Sequence, residues 1–201
     1  MRIMPVPKHA LAAGPRVYLR RPGPRDAAAF IAGARLSDRL HRGWVQAPTT
    51  RASFAAYLRH FAGPKSRDPA SASHVGVVVC KLDDDALIGV FNFSEIVRGA
   101  FESSYLGYYA FAPHAGQGYM SEGLTLVLAL AFAKLKLHRV EANVQPTNRP
   151  SVSLVRRAGF TREGFSRRYV KIAGRWRDHE RWAMLAEDWR RLRRTGLDRA
   201  R

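Results

Sequence analysis

The run Gly116-Gln117-Gly118-Tyr119-Met120 follows a tyrosine-rich apolar segment and opens a long apolar one. A loop of this kind suits a phosphate group. The first turn of a helix has backbone N–H groups without intrahelical partners, and its dipole favours negative charge there. Glycines let the backbone approach a pyrophosphate with no side chain in between. A Gly-x-Gly on its own is usually a turn; the strand before it and the helix after it add weight. No Lys-Ser or Lys-Thr pair follows the glycines, which argues against an ATP-binding P-loop. Gly123 comes too late for the third glycine of a dinucleotide fingerprint, and the hairpins upstream do not form parallel βαβ units.

Other reactive residue types are sparse. The one cysteine, Cys80, ends the apolar run Val75-Gly76-Val77-Val78-Val79 and reads as a buried strand thiol in a reducing compartment. The seven histidines are scattered, and no metal cluster is visible. Asn148 and Ser151 stand at a helix start, where capping is the ordinary role of such residues, and Pro150 beside them suits a first helical turn.

These residues need a scaffold, and the pattern supplies one. Residues 16–21 read as a strand, and a helix opens at Asp26. Thr49 or Thr50 caps a second helix through Phe54, Leu58 and Phe61. Gly63 to Ser73 is a loop. Residues 74–82 and 86–93 form a hairpin about Asp83-Asp84-Asp85, and 104–112 is a fourth strand. A helix spans 118–136, a strand 139–145, and a short helix 148–158 ends at Gly159. Strands 165–172 and 175–185 turn at Ala173-Gly174, and residues 187–194 add a helical turn or two. The order predicts one α/β domain over 14–189, with a disordered leader at 1–13 and a basic tail at 190–201.

The chain has 201 residues, 46% of them hydrophobic, enough for one sizeable core. No stretch of about 18 uncharged apolar residues occurs, and the N-terminus lacks a signal-peptide core, so a cytoplasmic protein without membrane contact is expected. Lys and Arg number 34 against 16 Asp and Glu, a net charge of +18. That excess suits a polyanionic partner, whether a phosphate-rich cofactor, RNA or a ribonucleoprotein; an arginine-rich solvated surface accounts for it equally well.

Tyr105-Leu106-Gly107-Tyr108 followed by Gly116-Gln117-Gly118-Tyr119-Met120-Ser121-Glu122-Gly123 resembles the GCN5-related N-acetyltransferase superfamily. So do Asn143, Pro146, Asn148, Ser151 and Arg157-Ala158-Gly159-Phe160. Two further blocks are similar to the ribosomal-protein alanine N-acetyltransferase branch: Asn92-Phe93-Ser94 with Val97-Arg98-Gly99, and Gly174-Arg175-Trp176-Arg177-Asp178-His179. The resemblance covers roughly residues 16–189. Ala115 replaces the basic residue that often opens the superfamily loop, which leaves the backbone donors of 116–120 in place.

The resemblance implies a mixed, mostly antiparallel twisted sheet of about seven strands, splayed between the fourth and fifth. It implies acetyl-CoA as cosubstrate, with no metal, and direct transfer of the acetyl group to an amine. The pyrophosphate falls to Gly116, Gln117, Gly118, Tyr119 and Met120, and the pantetheine arm to the strand edge at Tyr109, Ala110 and Phe111 and to Asn148. Ser151 would lie near the sulfur and help protonate it, and Tyr108 is a second candidate acid. No glutamate stands where relatives carry one, since Asn143 and Val170 occupy those places. That leaves Glu95, Glu102, Glu141, Asp178, His179 and Glu180 as candidate bases; Glu95 is preferred because it follows a strand beside the expected cleft.

Three readings of function remain. The first is acetylation of a protein N-terminus, a ribosomal protein beginning with alanine, with the basic surface touching the ribosome. The second is acetylation of a small amine such as an amino acid, polyamine or drug. The third is a non-catalytic RNA or ribosome binder. The loop and strand-edge motifs favour an enzyme, and only the branch-like blocks separate the first two.

Overall fold

The computed structural model describes residues 5–61 and 72–198. The Gly63–Ser73 loop therefore lies almost wholly outside the described residues. One eight-stranded sheet runs in the order β1-β2-β3-β4-β5-β6-β8-β7. Its strands are β1 (Ala12–Ala13), β2 (Val17–Arg20), β3 (Val75–Lys81), β4 (Leu87–Val97), β5 (Ser103–Ala110), β6 (Arg139–Val144), β7 (Thr161–Ile172) and β8 (Arg175–Leu185). Every pairing is antiparallel except β5 with β6. The strand beyond the seven expected is β1. Ala12 and Ala13 pair with Leu19 and Tyr18, so this part of the expected leader is ordered by backbone hydrogen bonding to β2. Residues 1–4 lie outside the described residues.

The helices are α1 (Ala27–Leu36), α2 (Asp38–His41), α3 (Arg51–Phe61), α4 (Tyr119–Ala129), α5 (Arg149–Arg157) and α6 (Ala186–Asp198). A π-helical turn, Leu130–Lys134, prolongs α4. Thr50 caps α3: its Oγ1 accepts the Ser53 N–H at 3.1 Å, and Ser53 Oγ accepts the Thr50 N–H in return. Asp26 does not cap α1. Its buried carboxylate instead accepts two bonds from Arg20, each 2.8 Å, and the Gly23 N–H at 2.7 Å. The expected tail at 190–201 is helical through Asp198, and Trp189 packs its ring on Phe132.

The β3 run is apolar on both faces because both are covered. Val75, Val77 and Val79 join one core with Phe91, Leu124 and Val127; Val78 and Cys80 join another with Phe30, Phe54 and Phe111. Thus α4 seals one face of the sheet while α1 and α3 seal the other. A Cβ on Gly123 would lie 3.2 Å from both Phe91 and Val79, so this glycine lets α4 sit directly on β3 and β4. The Cys80 thiol is pushed up to about 12 by burial and stays protonated. No helix among the described residues is long and apolar enough to cross a membrane, and no group of three or more His, Cys, Asp or Glu among them could hold a metal ion.

The sheet opens where the site must be. The β5·β6 ladder covers only Ser103↔Arg139, Ser104↔Val140 and Tyr105↔Glu141. Beyond Tyr105, β5 stays paired to β4 as far as Ala110, while β6 stays paired to β8 as far as Val144. Each strand follows its outer neighbour, so a gap widens between them.

Candidate active site

Two clefts meet in this gap. One, of about 480 Å³, runs from the glycine loop past Tyr109 and Ala110 to the start of α5. The other, of about 370 Å³, lies between β5, β6 and the β7–β8 hairpin. Tyr108, Asn148, Ser151, Trp44 and Val45 line both.

The first cleft begins at α4. Gly118 precedes the helix with φ +81°, a conformation L side chains rarely adopt, and Gly116 has φ +76°. The N–H groups of 116–120 find no partner among the described residues; the first bonded ones are Ser121 and Glu122, both to the Gly118 carbonyl. Gly116, Gly118 and Met120 line the cleft. The Gln117 and Tyr119 side chains do not: Gln117 donates to the Pro113 carbonyl at 3.0 Å, and the Tyr119 ring lies under the Arg16 guanidinium. Glu122 ties this turn to β2 by accepting the Arg16 and Val17 N–H groups.

The β5 edge corrects one expectation. Phe111 donates its N–H to the Ile88 carbonyl at 2.8 Å, its carbonyl accepts from His114, and its ring is buried. It therefore has nothing to offer the cleft. The alternation of an antiparallel ladder likewise turns the Tyr109 backbone toward β4. The groups of Tyr108 and Ala110 face the gap instead. The Ala110 carbonyl already accepts from His41 Nε2 at 2.8 Å, a residue the sequence reading passed over. Burial lowers the His41 pKa, against the opposing pull of that carbonyl and Asp38.

At the junction, the Tyr108 hydroxyl lies 2.6 Å from Ser151 Oγ. Asn148 Oδ1 accepts the Ser151 N–H at 3.3 Å, so Asn148 is the N-cap of α5 and lines both clefts as well. Burial raises Tyr108 to about 12. A segment missed by sequence reasoning covers the junction: Trp44 and Val45, between α2 and α3, are anchored because Gln145 donates to the Gly43 carbonyl at 2.7 Å. A tryptophan after a glycine in an interhelical stretch was the only available signal.

The candidate bases separate sharply. Glu95 sits on a β4 bulge with φ +50°, 68% exposed, its carboxylate 3.6 Å from His74. Its neighbour Ser94 lines the second cleft and Glu95 does not, so the expected place beside the cleft is not realised. Successive side chains of a strand point to opposite faces. Glu102 pairs with Arg98, Glu141 with Arg139, and Glu180 with Arg162, while Asp178 accepts the Arg168 N–H. His179 alone of the candidates lines the cleft, and it is 3% exposed. Its Nδ1 lies 3.0 Å from the Arg177 carbonyl, which can only accept, so Nδ1 carries the proton and Nε2 keeps its lone pair. Burial lowers its pKa, although the Arg177 carbonyl and Asp178 oppose this. Asn143 Oδ1 is buried in the same wall with no hydrogen-bond partner among the described residues.

A gap between parallel strands, a glycine loop with free N–H groups on one side and a second cleft on the other leave room for two ligands that meet at the junction. The acetyltransferase (GNAT) domain model matches residues 16–161. The chain belongs to this acetyltransferase family. It is 43% identical over 115 residues to a probable N-acetyltransferase, YjcK, of Bacillus subtilis, covering 57% of this chain and 62% of that one. It is 41% identical over 107 residues to the [ribosomal protein uS5]-alanine N-acetyltransferase of Escherichia coli, covering 53% of this chain and 55% of that one. The chain thus spans less than two thirds of the length of these curated relatives. The solved structure of Mycobacterium smegmatis RimJ in complex with CoA-disulfide superposes with a TM-score of 0.77 at 26% identity, covering 90% of this chain and 89% of that one.

Proposed function

We propose that the chain transfers an acetyl group from acetyl-CoA to the N-terminal α-amine of a protein, by direct attack within the gap between β5 and β6. The observation that carries this is the composition of the second cleft. Among the described residues its lining has no Asp, Glu, Lys or Arg; its polar side chains, Tyr105, Asn143, Gln145, Asn148 and His179 among them, carry no fixed charge. A polyamine keeps further ammonium groups that need carboxylates once desolvated, and a free amino acid brings a carboxylate that needs a cation. A protein N-terminus brings one amine and a neutral, small first residue. The uS5-alanine acetyltransferase relative supports alanine as that residue and a ribosomal protein as its bearer.

The first cleft suits acetyl-CoA on this chain's own features. The unpartnered N–H groups of 116–120 and the α4 dipole favour a pyrophosphate. His114 and Arg157 line the same cleft, and the free edge at Tyr108 and Ala110 offers backbone donors to the pantetheine arm and the acetyl carbonyl. Bound there, acetyl-CoA supplies an activated thioester. His179 Nε2 takes a proton from the α-ammonium, directly or through one water. Asn143 Oδ1 accepts a second ammonium N–H and orients it. The Tyr108–Ser151 hydroxyl pair holds the proton that the departing sulfur needs. Trp44 and Val45 exclude water from the junction.

The deciding experiment is turnover of acetyl-CoA against Ala- and Ser-starting peptides, spermidine and free amino acids. The expected order is Ala-starting peptide first, with spermidine and amino acids at least about tenfold lower in kcat/KM. Efficient spermidine turnover with inert peptides would replace the N-terminal reading with the small-amine one.

A further inference from the structure

The β7–β8 hairpin carries more charge and more exposed aromatic surface than its role as a cleft wall requires. Between Arg167 and Arg177 the sequence holds five cations and no acidic residue. Arg167, Arg168, Lys171 and Arg175 are exposed, and among the described residues none of these four makes an ion pair. Cations on α6 are partly satisfied by comparison: Arg191 pairs with Asp188, and Arg193 stacks on Trp189.

Rings stand among these cations. Trp176 is 59% exposed and Phe165 47%, while Tyr169, at 36%, has its ring edge-on to His179 and its hydroxyl 3.4 Å from that of Tyr105. Register places Lys171 opposite Trp176, so an ammonium and an indole share one face. The ladder shifts between Ser166 and Val170, where Arg168 adopts φ +48° and donates its N–H to Asp178. This bulge inserts extra residues into β7 and carries Arg167 and Arg168 off the regular strand. Ala173 and Gly174, both at positive φ, close the tip as a tight turn.

We propose that this hairpin tip docks single-stranded RNA. Unpaired cations meet phosphates, and exposed rings accept unstacked bases, a combination that a purely acidic protein partner would not use. The same hairpin lends Val170 and Ile172 to the second cleft from its other face, so RNA held on Lys171 and Trp176 leaves that cleft free for the acceptor amine. RNA binding at the tip does not depend on which amine the cleft takes.

The test is fluorescence anisotropy with a labelled single-stranded RNA of about a dozen nucleotides, a duplex of equal length and polyglutamate as competitor, across about 50 to 200 mM salt. The log–log salt slope should be near −3, at about −0.7 for each of four phosphate contacts. The quadruple variant R167Q/R168Q/K171Q/R175Q should lose at least about tenfold in affinity and most of that slope. Trp176→Ala should lose roughly fivefold or more on the single strand. A matched variant on α6, R190Q/R191Q/R193Q/R194Q, should bind nearly as the parent does, and thermal melting checks that every variant is folded. The proposal is overturned by an unaltered hairpin variant, by an equal loss in the α6 variant, by an unaltered Trp176→Ala, by duplex RNA binding as tightly as the single strand, or by polyglutamate competing as well as RNA.

Discussion

His179 and Glu95 show how one residue's place on a strand decides its chemistry. Both are titratable and both lie on strands, yet only His179 reaches the cleft, with its Nδ1 proton fixed by the Arg177 carbonyl. Because burial lowers its pKa, it is neutral and able to accept a proton at physiological pH. The kcat/KM for an Ala-starting peptide should therefore rise through a limb below about pH 6.5, the ordinary imidazole value. His179→Gln should lower kcat/KM by roughly 10²-fold or more and abolish that limb; an intact limb in the variant would assign it to another group. Tyr108, held near 12, stays protonated throughout this range and adds no falling limb. Its partner Ser151 is read by a different split. Ser151→Ala should lower kcat more than it raises the KM for acetyl-CoA, since only the transition state feels the growing charge on sulfur. With the two hydroxyls 2.6 Å apart and acting as one, Tyr108→Phe added to Ser151→Ala should cost little more than either alone. A change in KM alone would leave Ser151 as no more than the residue whose N–H Asn148 caps.

At the scale of elements, the loop before α4 and the start of α5 bring the two halves of the site to one point. Gly118 holds φ +81°, so a β-branched residue there strains the loop and turns the free N–H groups out of line. Gly118→Val should weaken CoA binding by at least about tenfold by calorimetry while peptide binding changes little. Unaltered CoA affinity in a folded variant would remove the loop from the site. Gln145 and Gly43 make a comparable link, since one hydrogen bond pins the Trp44 segment to the end of β6.

At the scale of the molecule, the sheet is well sealed except where it opens, and the opening depends on buried neutral groups. His41 and His179 both have pKa values lowered mainly by burial, and both flank the gap. Their folded values lie below the unfolded value of about 6.5, so the folded state binds fewer protons. The stability they contribute is full above about pH 6.5 and is lost as pH falls through the folded values. The melting temperature should hold between about pH 8 and 7 and decline below about 6.5. The double variant His41→Gln/His179→Gln should show a smaller decline over the same interval; an identical decline would assign acid lability to other groups.

Much was legible in the order of residues alone. The glycine loop, the α4 and α5 starts, the Ala173-Gly174 turn and the apolar run of β3 rest on local chemistry: positive φ, capping and periodicity act within a few residues. The Asn148 cap rests on the same local chemistry, whereas the cofactor roles expected of Asn148 and Ser151 came from the family resemblance. Contacts across the sheet were not legible, because they depend on register. Whether Phe111 or Ala110 faces the gap is decided by which one turns its backbone N–H and C=O to β4, and a shift of one residue exchanges the two. Glu95 lost its expected place to strand alternation and a bulge, Trp44 gained one through a bond from Gln145 about a hundred residues away, and Ala12–Ala13 became a strand only because β2 offered an edge. The types of residue available to the chemistry were set by the sequence; which of them share a cavity was decided by the divergence of β5 from β6, where each strand keeps the hydrogen bonds of its outer neighbour.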